Sequence, residues 1–364
     1  MVFKRMPLED WFDKYQYEVD YDIGESGMKF FRVKDLGIDL DEVELRYGYH
    51  LGRPELREKI AEMYDGCSME NVAVTTGASE ANFAIIAHLV NRSDHMIVEH
   101  PTYPSLYEVP RSLEISLSLL RLKWVDRFKP NLDELRGIIK PNTKLITLTH
   151  PNNPTGSQIT EKTLREAIGI AEEHDIHLMV DETYRDLTFD EPPPLAATLS
   201  KNAISLTSMS KVYGLPGIRI GWAVADKSVI EGIRAVREQM TICNSAFGEV
   251  IALEILKRRK QVLNDMRSKM MSNYEVVKEW MDQQSWLEWI EPEGGVVCAP
   301  RLRNGGSTRE LCELLVRKYR TFVVPGYGLE MDEYFRLGYG GDREELVVGL
   351  EMLKKALEEL SSSS

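Results

Sequence analysis

No stretch of eighteen consecutive apolar residues occurs in the 364-residue chain, so the apolar length that a helix needs to cross a bilayer is missing. The opening MVFKRMPLEDWFDKYQYEVD has two early cations but no apolar core, which argues against a secretory signal. Cysteine is scarce. Cys67, Cys243, Cys298 and Cys312 are scattered with no Cys-x-x-Cys pair, which disfavours zinc and disulfide frameworks and fits a reducing cytoplasm. Positive charge is in deficit: 45 Lys and Arg against 58 Asp and Glu leave a net charge of −13, an argument against a nucleic-acid partner. TTGASEANF, after the first strand pattern, is not the G-x-G-x-x-G of a nicotinamide dehydrogenase. Ser208-Met209-Ser210-Lys211 matches the S-x-x-K of serine acylases, but the S-D-N and K-T-G elements that accompany it are absent. No internal repeat or long linker is visible. Only some forty acidic-leaning residues precede the sheet pattern, too few and too acidic for the helix-turn-helix segment of a non-catalytic sensor built on a similar fold.

What the chain does have is alternation. Apolar runs at 71–76, 95–100, 144–150, 177–183, 203–209 and 218–225 read as strands. Between them, 54–64, 79–91, 131–140, 161–174 and 227–240 carry the three-to-four spacing of amphipathic helices. Near-continuous apolar strands alternating with helices predict an α/β fold, a large domain with a mostly parallel sheet covered by helices on both faces. Past residue 260 the pattern changes to a long polar helix, short strands around GGVVCAP and YRTFVVP, and a final helix with Leu346, Leu350, Leu353, Leu357 and Leu360 on one stripe. The expected division is an irregular N-terminal segment over 1–43, a large domain over 44–258 and a C-terminal part over 259–364. The first and last together form a smaller α+β domain.

In open α/β sheets ligands sit beyond the carboxyl ends of the strands, so the residues after each apolar run matter most. Gly77-Ala78-Ser79 opens a helix whose start attracts an anion, although a plain N-cap turn would look the same. Pro101-Thr102-Tyr103-Pro104 clamps an aromatic that could stack on a planar ligand. Pro151-Asn152-Asn153-Pro154-Thr155-Gly156 is a dense turn signal, and the Asn153 amide could reach a ligand oxygen. Asp181 ends an apolar strand, where a carboxylate needs a cation or a ring N–H, and Tyr184 is near enough to share that ligand. Lys211 in the same kind of place predicts a lowered pKa and a nucleophilic amine, and the field of Arg219 favours that deprotonation. Arg219 offers a planar fork suited to phosphate, and Ser208 adds a hydroxyl donor. An anion cradle, a stacking ring, an Asn–Tyr pair, an acid for a ring nitrogen and an amine for an aldehyde match pyridoxal 5′-phosphate (PLP) group by group.

P-N-N-P-T-G, D-E-x-Y and S-x-S-K-x-x-G-L-P-G-x-R-x-G occur in an order and spacing that resemble the class I/II PLP-dependent aminotransferases over almost the full length. The resemblance implies catalytic roles for Lys211, Asp181 and Tyr184, with Lys211 forming the Schiff base and shuttling the proton. It implies that Asp181 meets the ring nitrogen, Asn153 and Tyr184 hold the 3′-oxygen, Tyr103 stacks, and Ala78, Ser79, Ser208 and Arg219 bind phosphate. RYGYHLGRPELREKIA, residues 46–61, resembles the segment that reaches a neighbouring subunit, where Tyr47 would touch the partner's phosphate, so a homodimer with shared sites is implied. EYFRLGYG, residues 333–340, matches the place of the arginine that forks the substrate α-carboxylate. Arg336 takes that role, with Gly24 and Asn153 beside the substrate. The implied substrates are small molecules, an amino acid and a 2-oxo acid, and no metal is expected. One departure stands out: where the family often has Gly-x-Pro, this chain has IGESGMKF, residues 23–30. Some relatives of this type eliminate or cyclise instead of transaminating, so a PLP-dependent lyase or cyclase is the alternative reaction.

Overall fold

The computed structural model describes residues 2–303 and 305–362. Seven strands form the central sheet: β1 (Val72–Thr75), β2 (His95–His100), β3 (Ser116–Arg121), β4 (Thr143–Thr149), β5 (His177–Asp181), β6 (Ala203–Ser208) and β7 (Gly221–Val224). Their spatial order is β1-β7-β6-β5-β4-β2-β3. All neighbours run parallel except β7, which is antiparallel to both β1 and β6. The apolar runs are continuous because both faces are covered. Leu145, Met179 and Leu206 pack under helices Ala78–Leu89 and Lys227–Glu238, while Ile146, Leu148, Leu178 and Val180 pack under helix Glu161–Glu173. Successive residues of one strand therefore feed opposite cores, as the pleat requires.

The N-terminal and C-terminal parts of the chain meet each other beside this sheet. Tyr21–Asp22 pairs in parallel with Thr321–Phe322, joining the first thirty residues to the last fifty. Phe335–Gly338 is the middle strand of a small antiparallel sheet between Val297–Cys298 and Val324–Pro325. The long polar pattern is helix Arg259–Asp282. The last helix, Arg343–Ser362, buries Leu346, Leu350, Leu353 and Leu357.

Several elements differ from the sequence expectation. The segment read as irregular contains helix Pro7–Tyr15, whose Leu8 and Trp11 are buried. Strand β3 was not anticipated; it is an edge strand with one buried residue, so SLSLLR carries little apolar signal. Helix Ser105–Ser112 holds an internal proline, Pro110, which broke the pattern. Helix Ala246–Lys257 is apolar almost all round and has no amphipathic stripe to detect.

Candidate active site

The carboxyl ends of β1, β2, β4, β5 and β6 open on one cavity of about 380 Å³. Because β7 runs the other way, its amino end, with Arg219 just before it, arrives at the same edge. Ala78, Ser79, Tyr103, Asn153, Asp181, Tyr184, Ser208, Lys211, Arg219 and Arg336 all line this cavity.

At one end is a cradle. Gly77 has φ +79°, and a Cβ there would lie 2.5 Å from Arg219 Nη2. A Cβ on Gly221 would lie 2.6 Å from the Ala78 nitrogen. Only glycine leaves this space beside the start of helix Ala78–Leu89, where backbone N–H groups are free to meet an anion. Arg219 donates to Pro216 O at 2.9 Å and lies 3.5 Å from Ser210 Oγ, but makes no ion pair among the described residues. Ser208 is buried nearby, its Oγ accepting the Ser210 N–H at 3.3 Å. The turn is fastened from behind. Glu80 accepts the Thr76 N–H at 2.5 Å and pairs with the fully buried Arg237 at 3.1 Å.

In the middle, Asp181 at the tip of β5 accepts the Thr183 N–H at 3.0 Å, and burial raises its pKa. Tyr184 is buried and donates to Ser26 O at 2.8 Å; burial raises its phenol pKa too. Tyr103 donates to Glu9 Oε1 at 3.0 Å, and burial is the main reason its phenol resists ionisation.

Lys211 departs from expectation. Its ammonium bonds Glu25 Oε1 at 2.9 Å. Burial pulls its pKa down, but the charge of Glu25, seconded by Tyr184 and the Glu25 hydrogen bond, outweighs burial and leaves it raised, not lowered. The cation whose field opposes protonation is Arg336 rather than Arg219. Glu25 shows the reciprocal effect. Burial favours its neutral form, yet Lys211 and then Arg336 bring its pKa down to about 2.

At the far end, Arg336 is 2% exposed. It donates to Gly24 O at 2.9 Å and to Asn153 Oδ1 at 3.3 Å, and its guanidinium lies over the Phe12 ring at 5.6 Å. No carboxylate lies within ion-pair distance of it among the described residues, so a buried fork faces the cavity without an anion. Gly24 has no room for a side chain, since a Cβ would meet Phe322 Cδ1 at 2.7 Å. Tyr47 is elsewhere: 80% exposed and outside the cavity, beside a separate hollow lined by Glu249 and Lys257. Sequence reasoning missed the N-terminal wall of Glu9, Phe12, Gln16, Glu25 and Ser26. The lone signal was the absent proline in IGESGMKF.

The family model described as aminotransferase class I and II matches residues 21–353. This chain belongs to the class I and II aminotransferases. Among relatives, capreomycidine synthase of Streptomyces vinaceus is 28% identical over 96% of this chain and 93% of its own length. The aspartate aminotransferase of Pyrococcus horikoshii is 27% identical over 88% and 85%. Of solved structures, a PLP-dependent aminotransferase from Streptococcus suis 89-1591 superposes with a TM-score of 0.94 at 29% identity, covering 99% of both chains. The PLP-dependent cyclase OrfR does so at 0.92 and 26%, covering 99% of this chain and 98% of that one. This class I and II aminotransferase is accordingly a PLP-dependent enzyme of the transferase type. Its residues fit the cofactor. The glycine cradle with an unpaired arginine suits a phosphate, a carboxyl at a strand tip suits a ring nitrogen, and one amine stands between them. No helix among the described residues is long and apolar enough to cross a membrane.

Proposed function

We propose that the enzyme moves an amino group between an L-amino acid and a 2-oxo acid, with Lys211 as the covalent anchor of PLP. The observation that supports this most is that Lys211, Asp181, Arg219 and Arg336 line one cavity. When bound, PLP supplies an aldehyde for exchange with amines and a pyridinium ring that draws electrons from the substrate Cα. The chain does the rest. Arg219, Ser208 and the N–H groups at Ala78 and Ser79 hold the phosphate. Asp181 keeps the ring nitrogen protonated; a cation there offsets the burial that now raises its pKa. Tyr103 would stack on the ring, and Asn153 and Tyr184 would hold its oxygen. Arg336 forks the substrate α-carboxylate and fixes which bond at Cα lies across the ring. The Lys211 amine, when free, would move the proton at Cα.

Half-reaction screening tests this. Mixing the loaded enzyme with single amino acids should convert the yellow band and release the matching 2-oxo acid, and Lys211→Ala should abolish turnover. Turnover surviving in Lys211→Ala removes the assignment. A second reading, elimination or cyclisation, is supported by the similarity to capreomycidine synthase and to a PLP-dependent cyclase. It predicts product without lasting loss of the yellow band, with ammonia released in the case of elimination. The same proposal makes the enzyme a homodimer with Tyr47 serving the partner's phosphate. Leu45, Tyr47 and Tyr49 are all largely exposed on one arm, an apolar surface that a second copy would cover.

A further inference from the structure

Two carboxylates in the cavity, Glu25 and Glu9, have no role in the reaction proposed. Glu25 is fixed in place: its Oε1 faces Lys211 at 2.9 Å and accepts its neighbour's N–H from Ser26 at 2.9 Å, while Gln16 Nε2 donates to Oε2 at 3.2 Å. Its side chain is only 21% exposed. The cations that keep it ionised are Lys211 and Arg336. In the proposed reaction both have other partners, since Lys211 carries the cofactor and Arg336 takes the substrate α-carboxylate. With both so engaged, Glu25 is a largely desolvated anion with no counter-ion of its own, which favours a cation brought by the substrate. When Lys211 is free of the cofactor it must be neutral to take the proton at Cα, so it is no counter-ion for Glu25 at that point either.

Glu9 stands in the same position. It projects from helix Pro7–Tyr15 onto the cavity, accepts the Tyr103 hydroxyl at 3.0 Å and makes no ion pair among the described residues. Other nearby acids are accounted for. Asp13 pairs with Arg5, and Asp22 accepts the N–H groups of Gly24 and Glu25 and is pushed toward its neutral form, chiefly by burial. The buried Arg336, which makes no ion-pair contact among the described residues, marks this cavity as a place where a carboxylate-bearing ligand binds. Apolar Leu8 and Phe12 line the same wall, a surface suited to the methylene stem of a long side chain.

We propose that Glu25 and Glu9 are specificity-determining residues and that the substrate is a basic amino acid, whose side-chain cation they receive. This rests on the PLP-dependent reading of the same cavity. The test compares pairs that differ in charge at nearly constant shape: lysine with norleucine, and arginine with citrulline. The loaded enzyme is mixed with each, with apparent affinity taken from the spectral change and substrate loss from mass spectrometry, so that transamination and cyclisation are both seen. The charged member of at least one pair should be favoured tenfold or more in rate over affinity constant. Glu9→Gln and Glu25→Gln should each shrink that ratio at least threefold, and Glu9→Asp should restore part of it. Neutral members, or glutamate, reacting as well as the basic ones overturns the proposal while leaving the PLP-dependent reading intact. A protein with no borohydride-reducible band at Lys211 overturns both. Glu9→Gln guards against a folding artefact, because Glu9 is only partly buried, makes no ion pair among the described residues and does not bond Lys211.

Discussion

At Lys211, burial and charge act in opposite directions, and the carboxylate 2.9 Å away decides the balance. An amine attacks a carbonyl only when neutral, so Glu25 holds the resting lysine in its unreactive form. In Glu25→Gln the ammonium loses its anionic partner, leaving burial and the Arg336 charge opposed by Tyr184 alone. The pH midpoint for cofactor capture by the apoenzyme should then move to lower pH, and a midpoint that stays put would show that another group sets it. Asp181→Asn should slow proton abstraction by about 100-fold or more in single turnover, because the ring nitrogen loses the charge that keeps its proton. An unchanged rate would remove Asp181 from that position. Asp181, Lys211 and Arg219 were legible in the sequence because each adjoins an apolar run, and the geometry of open sheets says what strand tips do. Glu25 was not. It lies in a stretch with no period, 186 residues from the lysine it meets, and its place is set by long-range contacts such as the pairing of Tyr21–Asp22 with Thr321–Phe322 and the Met28 N–H bond to Lys211 O. The expected sign of the Lys211 shift was wrong for the same reason.

At the level of elements, the reversed strand β7 matters most. A purely parallel sheet would send the start of 218–225 to the wrong edge; the antiparallel insertion returns Arg219 to the cradle. Gly221→Ala tests the fit, since its methyl would press on the Ala78 nitrogen at 2.6 Å and Thr207 O at 2.8 Å. Cofactor affinity should fall at least tenfold by spectral titration, and wild-type affinity would mean the turn has slack. Behind the cradle, Arg237→Ala leaves Glu80 as an uncompensated buried charge. It should cost about 3–5 kcal/mol in chemical denaturation, and a loss under about 1 kcal/mol would mean that water replaces the guanidinium. The period over 227–240 predicts the helix but places its charges outward on average. It does not reveal that Arg237 turns inward, because that depends on a carboxylate from a helix 150 residues earlier.

Over the whole molecule, buried titratable groups set how stability follows pH. Burial raises Glu99 to about 8 and Glu182 to about 7, so the native state keeps protons that an unfolded carboxyl releases near 4.5. Stability from these groups is full below 4.5 and declines as pH rises toward 8. Burial lowers His95 and His100 to about 4 and His150 to about 3, against 6.5 unfolded. Their contribution is full above 6.5 and declines as pH falls toward 3. Between 4.5 and 6.5 the two sets oppose; above 6.5 only the carboxyls act. The melting temperature should therefore peak near pH 6 and fall by pH 8, with Glu99 alone accounting for about 2 kcal/mol of that fall. Glu99→Gln should flatten the alkaline limb, and a melting temperature still climbing from 6.5 to 8 would contradict the assignment. The seam between Tyr21–Asp22 and Thr321–Phe322 has a further consequence for biosynthesis. As the polypeptide leaves the ribosome, the sheet and its helices can assemble from the first two-thirds of the message. The wall bearing Glu9 and Glu25 can touch Tyr103, Tyr184 and Lys211 by then, but it lacks its strand partner until codon 322 has been read, so a translation product that stops short holds that wall by side chains and loop contacts alone.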